Sequence, residues 1–448
     1  MSIRPRRVAG IAAVVVIGAA LAAYAVAWQP AIAPIEPPAR AAFPAADIAG
    51  GAELAALGDC AVCHTVPNGP PYAGGRGVPT PFGTVHATNI TPDPDTGIGR
   101  WSLPAFRRAM RDGVDRAGRN LYPVLPYPHF IHATEADIAA IYAFLMTRRP
   151  VQREDRANDL RFPFNARPLL AGWNLLFLRS GEWRPDPVRS PEWNRGAYLV
   201  EAIGHCGACH TPHNFLGAEQ SGATLAGGEA EGWYAPPLGS APPASRPWSA
   251  DQLATYLRTG LEQGHGAAAG PMTAVTRQLA TVPEEDVRAL AVYIASLMPS
   301  PAPFDAANPG AANPGAASPG AASPGSANPG AAVSSGVHPV IDPEAIFDGA
   351  CGACHGADAP MTLGGAPSLT LSTAVRAPTA RNAVAMILYG LPWREGHTGP
   401  YMPAFAGALT DGQIAALADY LRARYTALPP WPDVEAAIQQ AKRQGGGT

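Results

Sequence analysis

All six cysteines of this 448-residue chain fall inside one pentad, Cys-x-x-Cys-His, written three times: Cys60-Ala61-Val62-Cys63-His64, Cys206-Gly207-Ala208-Cys209-His210 and Cys351-Gly352-Ala353-Cys354-His355. The pentad is the attachment signature of c-type haem. Two thiols at that spacing reach the two vinyl groups on one porphyrin edge, and the histidine that follows turns its ring under the iron. One helical turn places all three on one side. A zinc site or a thioredoxin-like redox pair would use the same cysteines, but three copies that consume every cysteine argue against both. Three haem c groups are expected, attached through Cys60, Cys63, Cys206, Cys209, Cys351 and Cys354, with His64, His210 and His355 as iron ligands.

The length suits three domains at roughly 150 residues each. Charged residues make up only 15% and the formal net charge is -3, so no basic footprint for nucleic acid is present. Haem thioethers are made outside the bacterial cytoplasm, so an export signal is expected. Arg4, Arg6 and Arg7 precede an uncharged apolar run from Val8 to Trp28, close to the ~20 residues that cross a bilayer. Positive charge before the run points that end toward the cytoplasm. Ala23, Ala25 and Ala27 offer cleavage sites, so residues 1–30 read as a retained membrane anchor or a cleaved signal peptide. Either way the haem domains are periplasmic, and the periplasmic face of the inner membrane is the expected location.

Aligning the pentads exposes a repeat too long for a solenoid, which means repeated domains. Each unit opens with a short helix running into its pentad, at Gly51–Gly58 and Trp193–Val200. A Gly/Pro-rich stretch and a middle helix follow, at Trp101–Gly113, Trp248–Gly260 and more loosely Ala383–Gly390. A closing amphipathic helix then begins at a capping signal, Thr134-Glu-Ala-Asp137 or Thr410-Asp-Gly-Gln413, or at Pro283-Glu-Glu-Asp286. Ile138, Ile141, Tyr142 and Leu145 share one face, as do Val287, Leu290, Ile294 and Leu297, or Ile414, Leu417, Tyr420 and Leu421. This order describes an all-α chain of three small cytochrome c domains, at residues 45–150, 191–300 and 337–428, with no strand pattern strong enough to argue. Units this small need the covalently held haem to complete their cores.

The connectors differ. Residues 151–190 contain a run rich in large apolar side chains, Arg161 to Leu178, expected to pack against a domain or a partner. Residues 301–336 form a Pro/Gly/Ala tract that reads as a flexible tether. The tail, 429–448, reads as a frayed surface end, with a short amphipathic helix around Val434, Ile438 and Ala441 as the alternative. Asp93 and Asp95 read as solvated turn residues. Trp173 with Trp183, and Trp393, read as partner or membrane contacts or as buried packing.

A histidine-held c-type haem takes Met or His on its other face, and Met raises the potential. Met272 in Ala269-Gly-Pro-Met-Thr273 and Met402 in Gly399-Pro-Tyr-Met-Pro403 lie in Gly/Pro loops that give a core residue little to fill, and are expected to be iron ligands. The corresponding loop of the first unit, Leu121-Tyr-Pro-Val-Leu-Pro-Tyr-Pro-His-Phe130, holds no methionine. Leu125 stands where Met is expected. His129 is the leading candidate for the first iron, with an open or water-bound iron as the alternative. His132, His86 and Met110 rank behind it, Met110 as a packing residue.

The three pentads, with Thr88-Asn-Ile-Thr-Pro-Asp93, Gly97-Ile-Gly-Arg-Trp101, Arg195-Gly-Ala-Tyr-Leu-Val200 and Gly204-His-Cys-Gly-Ala-Cys-His-Thr-Pro212, resemble the three-haem cytochrome c subunits of membrane-bound periplasmic dehydrogenases. Quinoprotein alcohol dehydrogenase and flavin-dependent sugar dehydrogenase cytochromes carry a Pro-x-Met-Pro loop in the first domain, from which this chain departs at Leu125. Tyr127-Pro-His-Phe130, Phe162-Pro-Phe-Asn165, Ala171-Gly-Trp173 and Ser190-Pro-Glu-Trp-Asn-Arg195 look more like the cytochrome subunits of molybdenum hydroxylases of the aldehyde, nicotinate and isoquinoline type. The resemblance implies a partnership with a molybdopterin subunit and an iron–sulfur subunit, electrons passing over three haems to ubiquinone or a terminal oxidase. It implies no substrate chemistry on this chain. A quinoprotein or flavoprotein partner is the alternative, and a multihaem enzyme with an open first haem is the alternative from another class.

Overall fold

The computed structural model describes residues 18, 28–239, 248–298, 342–356, 369–391 and 401–444. The tether and, Gly18 and Trp28 apart, the apolar leader run lie outside the described residues, as does Trp393. Among the described residues no helix is long and apolar enough to cross a membrane. Contacts group the chain into two units, Met1–Ala208 with His213–Glu219 and Thr281–Tyr293, and Cys209–Pro212 with Gln220–Ala280 and Ile294–Thr448.

In the first unit α1 (Ala45–Leu57) runs into α2 (Cys60–Cys63), the hairpin β1 (Gly77–Thr80) and β2 (Gly83–His86) follows, and then come α3 (Leu103–Asp112), α4 (Tyr127–Phe130) and α5 (Glu135–Met146). The start of α5 is set by Thr134, whose hydroxyl accepts the Asp137 N–H at 3.1 Å, with Glu135 and Asp137 placing negative charge in the first turn. Behind that cap Ile138, Ile141 and Leu145 are buried, each worth ~1.5–3 kcal/mol. Met110 is buried in α3 beside Phe106 and Ala109, the packing role expected of it. Asp93 accepts the Thr96 and Asp95 backbone N–H groups, a turn.

Further along are β3 (Asp159–Leu160), which pairs with β2, then α6 (Leu169–Phe177) and α7 (Pro191–Tyr198). Two glycines let the opening and closing helices cross at backbone contact. A Cβ on Gly51 would sit 1.9 Å from the Ala140 carbonyl oxygen, and one on Gly196 would sit 2.0 Å from that of Ala289. Cys60 follows Gly51 by nine residues, whereas Cys206 follows Gly196 by ten. The extra residue is absorbed as a π-turn at Leu199–Ile203, the form a single insertion takes inside a helix.

The second unit holds the end of α8 (Gly207–His210), the hairpin β4 (Gly228–Ala230) and β5 (Trp233–Ala235), α9 (Ala250–Thr259), the hairpin β6 (Leu261–Glu262) and β7 (Gly266–Ala267), α10 (Pro271–Leu279) and the end of α11 (Glu284–Leu297). It continues with α12 (Pro343–Ala350), α13 (Gly352–His355), α14 (Thr373–Arg376), α15 (Arg381–Tyr389), α16 (Asp411–Tyr425) and α17 (Val434–Gln444). Phe347, Val384, Leu388, Ile414, Leu417 and Ile438 form one core. The expected capping box at Thr410 and Gln413 is complete.

Two expectations are corrected. The framework is helical, but the all-α reading omits seven short strands among the described residues; at two to four residues each, they are too short for alternation to register. The tail is not frayed. Val434, Ala437, Ile438 and Ala441 face inward from α17, and Trp431 donates its indole N–H to the Ala377 carbonyl at 2.8 Å. The buried Arg422 guanidinium ties the approach down through Pro429, Val375 and Ala377 carbonyls.

Candidate haem-attachment sites

The strands explain how the pentad histidines, the candidate iron ligands, are aimed. After β1 and β2 the chain returns so that His64 Nδ1 donates to the Thr88 carbonyl at 2.6 Å. After β4 and β5 it returns so that His210 Nδ1 donates to the Pro236 carbonyl at 2.6 Å. Desolvation lowers the pKa of both rings, partly offset by those carbonyls, so each stays neutral with Nδ1 protonated. That leaves the Nε2 lone pair for a metal, and the carbonyl fixes ring orientation. His355 is likewise lowered by desolvation, and its Nδ1 has no partner among the described residues.

Both turns are built by the same local rules. Thr65 Oγ accepts the N–H of Tyr72 at 3.1 Å, and Thr211 Oγ that of Leu225 at 3.0 Å. Tyr72 and Leu225 are both left-handed, at φ 65 and φ 57. Two residues later Gly74 and Gly227 donate to the carbonyls of His64 and His210 at 2.7 and 2.8 Å. Ala73-Gly74-Gly75 and Ala226-Gly227-Gly228 are the sequence trace of this device. None of the six cysteines, all among the described residues, is in a disulfide. Burial pushes the Cys60 thiol up to about 12 and that of Cys351 up to about 11, with help from the neighbouring Asp59 and Cys63, and Cys354, respectively.

The loops that carry the sixth-ligand candidates are also placed. Gly113 ends α3 and Gly260 ends α9, both with positive φ. The Gly113 carbonyl accepts Leu121 N–H and the Gly260 carbonyl accepts Ala268 N–H, each at 2.7 Å. Four residues beyond those matched bonds stand Leu125, in a turn, and Met272, in the first turn of α10, so the two share the same offset from the bond. Met272 thus lies in a helix, not in a loop as expected, and Gly270, which precedes that helix with positive φ, sits against β5, where a Cβ would lie 2.4 Å from the Trp233 indole. Met402 pairs with Leu391 at the end of α15 through two backbone hydrogen bonds of 2.8 and 3.0 Å. His86 is buried in β2, two residues before Thr88.

His129 is engaged elsewhere. Its Nδ1 donates to the Glu201 carbonyl at 2.8 Å and its Nε2 meets Glu219 Oε1 at 2.6 Å. His132 Nδ1 is bonded to Gly181. Although desolvation lowers the His129 pKa, the bond and charge of Glu219 raise it overall, and Glu219 is held low by the same pair against its own desolvation. The His129 contribution is full below 6.5 and lost as pH rises through its raised value; that of Glu219 is full above 4.5 and lost as pH falls through its lowered one. With side chains only 12% and 28% exposed, Glu219→Ala is expected to cost about 3 kcal/mol, measured by denaturant unfolding.

The attachment turns of the first and second pentads touch. His205 Nε2 lies 3.2 Å from the Gly58 carbonyl, and desolvation pushes His205 down to about 4, so it is a neutral donor. Asp59 and His205, each directly before its pentad, are both left-handed, at φ 50 and φ 39. Asp59 is 8% exposed and its Oδ1 has no hydrogen-bond partner. Burial pushes its carboxyl up from 3.8 to about 7, so the folded state holds a proton that the unfolded chain releases, and stability falls as pH rises from about 4 to about 7. Asp59→Asn is expected to remove that slope and to stabilise the protein at neutral pH by on the order of 3–4 kcal/mol, read from unfolding curves at several pH values.

A family model described as cytochrome c oxidase, cbb3-type, subunit III, matches residues 339–421. The chain is 46% identical over 436 residues to a nicotinate dehydrogenase subunit of Pseudomonas putida, covering 96% of this chain and 35% of that protein. It is 36% identical over 404 residues to the fructose dehydrogenase cytochrome subunit of Gluconobacter japonicus, covering 88% of this chain and 82% of that one. The chain belongs to the multi-haem cytochrome c subunits of dehydrogenases. A third member, the gluconate 2-dehydrogenase cytochrome c subunit of Pantoea cypripedii, is 34% identical over 388 residues, covering 83% of this chain and 84% of that one. The chain spans about a third of the length of the nicotinate dehydrogenase subunit it matches. As a cytochrome subunit of this family it carries three c-type haems and serves as an electron carrier, which accounts for three complete pentads.

Proposed function

We propose that this cytochrome subunit takes electrons from a molybdopterin and iron–sulfur dehydrogenase that oxidises an aldehyde or an N-heterocycle, and delivers them to ubiquinone or a terminal oxidase at the periplasmic face of the inner membrane. The observation that carries the reading is the 46% identity along 96% of the chain to a nicotinate dehydrogenase subunit. The departure from a first-domain methionine loop at Leu125 points the same way. The second reading, a quinoprotein or flavoprotein partner, is favoured by the fuller coverage of the fructose and gluconate dehydrogenase subunits.

Each bound haem supplies an iron that gains and loses one electron. The residues do the rest within three domains, 45–150, 191–300 and 337–428. Cys60, Cys63, Cys206, Cys209, Cys351 and Cys354 fix the porphyrin edges, His64, His210 and His355 supply one iron ligand each, and Met272 and Met402 the second in the later domains. Leu125 supplies none, and with His129 held by Glu219 and Glu201 the first iron lacks a sixth protein ligand from that loop. The His205 ring against the Gly58 carbonyl holds the residue before the second pentad against the turn before the first. Cofactor analysis of the complex that copurifies from detergent-solubilised membranes tests the partner. Molybdenum with non-haem iron is the expected result; pyrroloquinoline quinone or flavin without molybdenum overturns it in favour of the second reading.

A further inference from the structure

We propose that α6 and the aromatic segment leading into it, residues 161–180, lie on the lipid headgroup surface of the membrane. The proposal rests on the placement of the haem domains at the inner membrane and adds the element that meets the lipid. One face of α6 is fastened to the protein. Ala171 is buried, Asn174 Oδ1 accepts the Tyr127 hydroxyl at 2.6 Å, and the Trp173 indole N–H donates to the Leu216 carbonyl at 3.1 Å. The other face has nothing polar on it: Leu169, Leu175 and Leu176 are 58%, 71% and 59% exposed, and Phe162 on the approach is 83% exposed. A helix this apolar on its outer side, with Trp beside it and basic residues around it, is the pattern of an element that sits in a bilayer interface.

Two observations choose lipid over a protein partner. The first is charge. Residues 161–180 contain no acid, and of their three arginines Arg167 is turned onto the Asn120 carbonyl and the Tyr122 ring, while Arg161 and Arg179 are exposed on either side of the apolar helix, as cations are when they reach from a lipid-facing helix to anionic headgroups. The second is position. Gln29 lines the same cavity as Ala171, Asn174 and Leu178, and the chain there is pinned, since Arg108 donates to the Pro30 carbonyl at 2.6 Å and Ile32 N–H to that of Arg116 at 2.9 Å. The uncharged run that ends at Trp28 therefore joins the folded unit beside α6, and whatever bilayer that run meets lies at the level of α6.

The test is hydrogen exchange of the full-length, haem-loaded chain in nanodiscs containing phosphatidylglycerol, in zwitterionic phosphatidylcholine nanodiscs and in detergent, with the L175E/L176E variant alongside. Both positions are exposed, and a retained content of three haems checks that the variant is intact. The expected result is at least about tenfold slower exchange over 169–178 in phosphatidylglycerol discs than in detergent, weaker in phosphatidylcholine and lost in the variant. Protection equal in lipid and detergent overturns the proposal, as does protection that appears only when copurifying subunits are bound, which would make α6 a protein interface. A chain that stays in the discs with α6 unprotected sinks this proposal alone; a chain that leaves them sinks the membrane placement too.

Discussion

Gly74→Ala is expected to destabilise the first haem domain by about 3 kcal/mol and to loosen His64 from its iron, while leaving the third domain untouched. Gly74 has φ +73, and a Cβ there would lie 2.4 Å from the Thr88 carbonyl carbon, 2.5 Å from its oxygen and 2.6 Å from Asn89 N. The oxygen is the acceptor that orients His64. A left-handed alanine costs ~1–2 kcal/mol, and moving Thr88 to relieve the clash leaves a ring N–H without its acceptor, a further ~1–3 kcal/mol. Acid titration followed in the visible spectrum gives a second readout: a ring no longer held by Thr88 binds iron less well against protons, so it is released at higher pH than in the parent. Gly227→Ala is the contrast. Its nearest atoms, Pro237 N and Ala235 O, are 3.2 and 3.3 Å away, close but short of a clash, so the left-handed penalty of ~1–2 kcal/mol is the main cost expected. Equal effects at the two glycines would contradict the account of Thr88 as the holder of His64.

Leu125→Met is expected to raise the potential of the first haem by on the order of 0.1 V, within the ~0.8 V that axial ligation commands. Leu125 and Met272 follow matched backbone bonds by the same four residues, so the new thioether would be delivered to the place from which Met272 is proposed to bind. Met272→Leu should do the reverse to the second haem. Optical redox titration separates the three centres, and cyanide, which enters an iron lacking a sixth protein ligand, should react faster with the parent than with Leu125→Met. An unchanged first potential together with unchanged cyanide reaction would show that the first iron already has another ligand.

The chemistry was legible because it is written in spaced pentads, and the helices because Thr134, Thr410 and the apolar faces behind them obey local rules. What escaped was non-local. The hairpins at 77–86 and 228–235 are too short to alternate, and their purpose, bringing Thr88 and Pro236 to His64 and His210, involves backbone carbonyls that no side-chain pattern announces. The tail helix was visible as Val434, Ile438 and Ala441, yet nothing local says that Trp431 and Arg422 anchor it. His129 sat in the right loop by sequence, but its partners Glu201 and Glu219 lie some seventy and ninety residues on, beyond the reach of motif reading. The π-turn before Cys206 was hidden as a single inserted residue.

The central claim, a three-haem electron carrier with no substrate chemistry of its own, is tested most directly by a stoichiometric reductive titration of the purified full-length chain with haem content measured in the same sample. The account predicts three covalently attached haems and three electrons taken up per chain, with no oxidation of aldehyde or N-heterocycle in the absence of other subunits. Fewer than three haems or electrons per chain, or turnover of such a substrate by the isolated chain, would contradict it.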